Sequence, residues 1–215
     1  TWLSAFLPRE DVRDVFISPR AASLSELPAG SVVGTASLRR QAMVLRLRPD
    51  LKVNVIRGNV ESRLRKLAAG EADATLLALA GLKRLGLQEK ATRIFEVDEF
   101  LPAVGQGAIA IESRRDDDRI NAVVKAIGDA DTEVALSAER SFLALLDGSC
   151  RTPIGGHCRV NGDRIHFSGL IISPDGKESY ETTRDGARAD AGALGTDAAR
   201  ELRERAGDKF FTLFA

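Results

Sequence analysis

The chain has 215 residues, 44% of them apolar and 29% charged, which suits a globular protein with one large core or two smaller ones and excludes a disordered or fibrous chain. No apolar run approaches the roughly 20 residues of a membrane helix, and the opening TWLSAFLP is too short and lacks the basic flank of a signal peptide, so the expected location is cytoplasmic. Basic and acidic residues balance at 31 each, which argues against sequence-independent nucleic-acid binding, and two cysteines do not make a disulfide scaffold.

The elements follow in chain order. SVVG (31–34) reads as a short strand. TASLRRQAMVLRLRP follows as a helix, with Thr35 as a plausible N-cap, Leu38, Ala42 and Leu45 as the apolar stripe, and Pro49 as the stop. LKVNVIRG (51–58) alternates as a strand, and Asn59 caps a second helix that ends near Gly70. ADATLLALA (72–80) is apolar nearly throughout, as a strand buried on both faces would be, and GLKRLGL reads as a short helix. This β-α-β-α-β order has a parallel sheet as its default, with ligands expected beyond the carboxyl ends of the strands.

The second half differs. AIAIE is a strand after a Gly-Gln-Gly loop, and 129–148 reads as a helix ending at Gly148. Two hairpins follow, with turns at Asn161-Gly162 and at Pro174-Asp175-Gly176, and a last helix spans about 190–206. These predict a three-stranded antiparallel sheet with helices, a separate α+β unit beginning near 125–131.

Four stretches could carry chemistry. GTASLRRQ combines a helix N-terminus with Thr35, Ser37, Arg39 and Arg40, and two arginines in a first helical turn oppose the helix dipole unless an anion offsets them. RGNVESR brings Arg57 and Arg63 to the same sheet edge, so a polyanionic small molecule is suggested; solvated arginines on capped helices are the plainer alternative. The excess of Arg over Lys, 24 to 7, fits either a need for planar bidentate donors or simple codon preference. LPAVGQG could let backbone approach a ligand beside the Gln106 amide, or be an ordinary turn. DGSCRTPIGGHC holds both cysteines. A disulfide is disfavoured in a reducing compartment, and Cys150, His157 and Cys158 are too few for a metal knuckle. Cys158 shares strand parity with Val160 and reads as a semi-buried thiol, and His166 as a residue of an outer strand face. Cys150 lies in an irregular loop beside Arg151, where a thiol can be exposed and acidic, which suits covalent attachment.

GTASLRRQ, RGNVESRLRKLAAGEADATLLALAGLKRLG, LPAVGQGAIAIE and LDGSCRTPIG, in that order across most of 30–156, together resemble the porphobilinogen deaminase (hydroxymethylbilane synthase) family, and LPREDVRDVFIS extends the match forward. The resemblance implies a transferase of tetrapyrrole and haem biosynthesis. Such an enzyme adds four porphobilinogen units, with loss of ammonia, to a dipyrromethane cofactor held by a cysteine thioether, and then hydrolyses off the linear product. By that resemblance Cys150 carries the cofactor, and Thr35, Ser37, Arg39, Arg40, Arg57, Arg63 and Gln106 hold carboxylates or ring edges of cofactor and substrate. The implied fold is α/β: a type II periplasmic-binding-protein-like pair of domains followed by a small α+β domain. Residues 1–12 and 101–128 would belong to the first domain, 13–100 to the second, and 129–215 to the third, cofactor-bearing one. The family's HS.KD segment with its catalytic Asp has no counterpart here, so residues 1–215 alone are expected to lack deaminase activity. The partners implied are porphobilinogen and the growing polypyrrole, with no nucleic acid, membrane or metal, and a monomeric enzyme. A non-enzymatic module binding a small anion at the same sheet edge is the rival reading.

Overall fold

The computed structural model describes residues 1–146, 148 and 152–214. In chain order the elements are β1 (Trp2–Phe6), β2 (Asp14–Ile17), β3 (Val32–Gly34), α1 (Leu38–Leu47), β4 (Lys52–Asn54), α2 (Val60–Ala68), β5 (Ala74–Ala78) and α3 (Leu79–Arg84). They continue with β6 (Arg93–Ile94), β7 (Ala110–Ser113), α4 (Asp118–Ala126), α5 (Ala130–Leu145), β8 (Ile154–Asn161), β9 (Arg164–Ile172), β10 (Ser179–Ala187) and α6 (Ala191–Phe211). Three sheets result: a two-stranded β1-β7, a five-stranded β4-β3-β5-β2-β6, and a three-stranded β10-β9-β8.

The three strands read from 31–80 run parallel, as expected, and two strands outside that stretch make the five-stranded sheet mixed. β4, β3 and β5 run parallel, but β2 lies antiparallel against β5, with Asp14 opposite Ala78, and β6 is antiparallel to β2. β2 and β6 carry no helical crossover of their own, so their sequences lack the alternating βα rhythm that marks a parallel sheet. One face of the sheet packs Phe16, Val33, Leu76 and the stacked pair Phe95–Phe100, whose ring centroids are 4.7 Å apart. The other face packs Val15 and Leu77 against α2 and α3.

Several boundaries also move. The N-cap of α1 is Ser37, whose Oγ accepts from the Arg40 N–H, while the Thr35 Oγ1 accepts from the Ser37 N–H one step earlier. The strand expected over 51–58 shortens to Lys52–Asn54 because its one partner, β3, offers only three residues; beyond it Val55 is 66% exposed. α4, capped by Asp117, was not anticipated, and α6 runs on to Phe211 through a non-helical Gly207.

The three-stranded sheet matches the expected pair of hairpins, and α5 and α6 cover its inner face through Phe142, Phe167, Ile171 and Leu202. Gly195 lets these two helices touch, since a Cβ there would collide with the Ala138 carbonyl. β8 is an edge strand whose outward N–H groups are taken up. The Gly156 N–H donates to the Pro102 carbonyl at 2.9 Å, and the Cys158 N–H to Glu139 Oε1 at 2.9 Å. Fully buried Glu139 also accepts from the Gly105 N–H at 2.7 Å and from both Nη atoms of Arg9 at 2.6 and 3.0 Å. One carboxylate thus ties the segment after β1, the Gly-Gln-Gly loop, α5 and β8.

The two hairpin turns differ in their surroundings. A Cβ at Gly162 (φ 59°) would meet open space. At Gly176 (φ 75°) it would lie 2.5 Å from the Arg46 nitrogen and 2.6 Å from the Ala42 carbonyl, because the β9–β10 turn is pressed against α1. The Gln41 amide adds a hydrogen bond to the Pro174 carbonyl at 3.2 Å.

Candidate active site

The carboxyl ends of β3 and β5 and the N-terminus of α1 meet at one edge of the five-stranded sheet. Beside them lies a cavity of about 370 Å³. Ser37, Arg39, Arg40, Arg63 and Gln106 line it together with Ala36, Ala103, Val104, Leu143, Thr152 and Ile154. Its walls therefore come from α1, α2, the Gly-Gln-Gly loop, α5 and the start of β8, and they are part cationic and part apolar.

The sequence-derived residues are not all alike here. Arg39 and Arg40 are buried and held by protein groups. Arg39 donates from Nη1 to the Leu101 carbonyl at 2.7 Å and from Nη2 to Asp14 Oδ2 at 2.7 Å. Arg40 donates from Nε and Nη2 to Asp14 Oδ1 at 2.9 and 2.7 Å, and from Nη1 to the Leu76 carbonyl at 3.3 Å. Arg39 Nε is buried with no hydrogen-bond partner among the described residues. Half-buried Arg63 donates from Nε to the Gly58 carbonyl and makes no ion pair among the described residues. Arg57 is exposed at the sheet edge and does not line the cavity. Thr35 is buried, with its hydroxyl turned to the backbone of Ser37. The Gln106 amide donates to the Val12 carbonyl at 2.6 Å and to Asp14 Oδ1 at 3.2 Å. Of the two glycines beside Gln106, Gly107 serves packing: it has φ 81°, and a Cβ there would strike the Glu10 carbonyl.

Asp14 was not found from the sequence. It is fully buried, and burial pushes its carboxyl upward, yet the charges of Arg39 and Arg40 and their hydrogen bonds prevail and hold it below the usual carboxylate range. Arg39 is disfavoured first by burial and also by the like charge of Arg40, with Asp14 in opposition. Arg63 too is shifted down, by burial and then by Arg40. Arg39, Arg40 and Arg63 line the cavity while Asp14 pairs with the first two, so the described residues leave an excess of positive charge in a partly desolvated place. That excess favours an anion.

Other groups lie elsewhere. Cys158 is 3% exposed, and burial, then the Glu139 charge, pushes its thiol up to about 12. The sequence reading made it semi-buried; its place between the sheet and α5 is fully in the core. His157 is buried, and burial, then Arg9, lowers it to about 4. His166 lies on the outer face of its sheet, as expected, beside Asp185 and Ser168. Cys150 lies outside the described residues. A second cleft, about 430 Å³ between α1 and the outer face of the three-stranded sheet, carries both charge signs, with Arg46–Glu181 and Arg159–Asp98 paired beside it.

A family model described as "Porphobilinogen deaminase, dipyromethane cofactor binding domain" matches residues 1–122, and "Porphobilinogen deaminase, C-terminal domain" matches 134–204. The porphobilinogen deaminases of Nitrobacter hamburgensis and Nitrobacter winogradskyi are 89% and 86% identical over all 215 residues, which span 68% of each relative. Among solved structures, a Salmonella typhimurium periplasmic binding protein with high arginine specificity aligns over 60% of this chain and 59% of its own, at 15% identity and a TM-score of 0.37. Two matched family models covering most of the sequence, and near-identity along its whole length, lead to one conclusion: the chain belongs to the porphobilinogen deaminase family.

Proposed function

We propose that the cavity beside α1 and α2 holds the acetate and propionate groups of pyrroles during the hydroxymethylbilane synthase reaction. In that reaction four porphobilinogen molecules are condensed, with release of ammonia, and the linear hydroxymethylbilane is freed by hydrolysis. The observation that carries the reading is the excess of guanidinium over carboxylate in a cavity that also has apolar walls. A pyrrole with two carboxylate arms has that same split character. The buried Nε of Arg39 has no hydrogen-bond partner among the described residues, and these residues fit a polycarboxylate.

When bound, the dipyrromethane supplies the nucleophilic pyrrole carbon to which the first substrate is joined. The chain's own residues bind and orient. Arg63, whose terminal nitrogens make no ion pair among the described residues, is the readiest carboxylate partner. Arg39 and Arg40 lend positive charge from fixed positions, and Arg57 extends it along the sheet edge. Ser37 contributes its place at the helix N-terminus, where N–H groups and the helix dipole favour an anion. Thr35 supports that turn from behind, and Gln106 keeps Asp14 in register. Leu143, Ile154 and Val104 offer apolar surface for ring faces and exclude water from the charged groups.

The cofactor attachment is assigned to Cys150. The chain has two cysteines, and Cys158 is a core thiol held protonated, unfit as a nucleophile at neutral pH. The division into 1–12 with 101–128, 13–100, and 129–215 is part of the proposal; the pairing of β1 with β7, apart from the other two sheets, supports it. So is action as a cytoplasmic monomer on a small molecule, without nucleic acid or membrane, which the balanced charge supports only for nucleic acid. Family membership does not favour the rival of a non-enzymatic anion-binding module. The test is the mass of the denatured protein and of its Cys150 peptide after expression in cells that make porphobilinogen. The expected result is an adduct of two porphobilinogen units less their ammonia on Cys150, reacting with acidic Ehrlich's reagent. An adduct on Cys158 instead would overturn the assignment.

A further inference from the structure

We infer that Asp14 is a positioning residue for the ligand-binding arginines: it draws the guanidiniums of Arg39 and Arg40 onto one carboxylate and so sets the direction in which the site presents its charge. The inference rests on the reading of the cavity as a carboxylate site.

Adjacent residues of a helix point about 100° apart, so side chains 39 and 40 do not face each other by default. Their like charges add a reason to splay. Asp14 reverses this, with Oδ2 accepting from Arg39 Nη2 at 2.7 Å and Oδ1 accepting from Arg40 Nε and Nη2 at 2.9 and 2.7 Å. Gln106 Nε2 donates to the same Oδ1 at 3.2 Å and fixes the carboxylate in turn. Asp14 comes from β2, a strand buried along its whole length, so the anchor is as rigid as the sheet. It has no exposed surface and cannot itself touch substrate. One carboxylate against two guanidiniums neutralises half their charge; the remainder, with Arg63, is left for the ligand. Asp14 itself lies behind the cavity, and the two arginines it holds both line it.

The experiment is calorimetric titration of the 215-residue chain with porphobilinogen, each variant at a fixed interval below its own Tm. Three variants are compared with wild type. Arg63→Ala tests the underlying reading, Asp14→Asn removes the charge, and Asp14→Glu keeps the charge but moves it by one methylene. The expected result is binding by wild type, weakening of tenfold or more by Arg63→Ala, and weakening of tenfold or more by both Asp14 variants in folded protein. If Asp14→Asn does not fold, Asp14→Glu decides. A purely structural ion pair predicts lower Tm with unchanged Kd. Folded Asp14 variants within twofold of wild-type affinity, alongside a weakened Arg63→Ala, would overturn the inference alone. Absence of binding by wild type, or an unaffected Arg63→Ala, would overturn the carboxylate-site reading and the inference with it.

Discussion

Replacing Glu139 by Gln keeps the shape of the side chain and removes its charge. In the native arrangement two carboxylate oxygens accept from four donors: both Nη atoms of Arg9, the Gly105 N–H and the Cys158 N–H. An amide has one acceptor oxygen, and its NH₂ turns a donor toward at least one of the others. The Arg9 guanidinium, whose side chain is 11% exposed, then loses its counter-charge. Removing one partner of a buried ion pair costs about 3–5 kcal/mol, and the retained amide oxygen recovers about 1 of these. The net loss is about 3 kcal/mol, or about 6–12 °C in Tm for a chain of this size. Urea unfolding with an unchanged m-value measures the loss, and hydrogen exchange at the Gly105 and Cys158 amides locates it. A loss below about 1 kcal/mol, or unaltered protection of both amides, would refute the account of Glu139 as the tie between the loop, α5 and β8.

His157 stays neutral in the folded protein down to about pH 4, whereas the unfolded chain ionises near 6.5. Its contribution to stability is therefore complete above pH 6.5 and is lost as pH falls toward 4, by about 2–3 kcal/mol at pH 4.5. Denaturant titrations at pH 7 and 4.5 should show a smaller acid loss in His157→Gln; an equal loss in both proteins would contradict the assignment. Gly195→Ala puts a Cβ into the Ala138 carbonyl, so α5 and α6 must part, at a cost of about 2–3 kcal/mol in urea unfolding. Wild-type stability in that variant would show that the helices do not touch as described.

Much of the site was legible because its residues follow parallel strands. Glycine, a capping hydroxyl and two arginines after a short apolar run mark the end of β3, and Arg57 and Arg63 mark the region after β4. Asp14 escaped this reading for a geometric reason. β2 is antiparallel to its neighbour, so its first residue, not its last, reaches the sheet edge beside the cavity. A search of strand carboxyl ends passes over it. Arg9 and Glu139 are 130 residues apart, and neither sits in a local pattern that announces a partner. Gln106 lines the cavity, and its engagement by Val12 and Asp14 could not be read from the loop. The hairpins were plain because their turns need residues that tolerate positive φ, and Gly162 and Gly176 supply them.

Those two turns look interchangeable in sequence, and both are polar and glycine-bearing. Their surroundings make them opposites for protein engineering. A Cβ at Gly162 meets open space, so the Asn161-Gly162 turn can accept a spectroscopic label or an inserted tag, at the expense of the Gly162 carbonyl's hydrogen bond from Arg188. Pro174–Gly176 rests on the backbone of the helix whose other end carries Arg39 and Arg40, so a graft there would shove that helix and be felt in the ligand cavity.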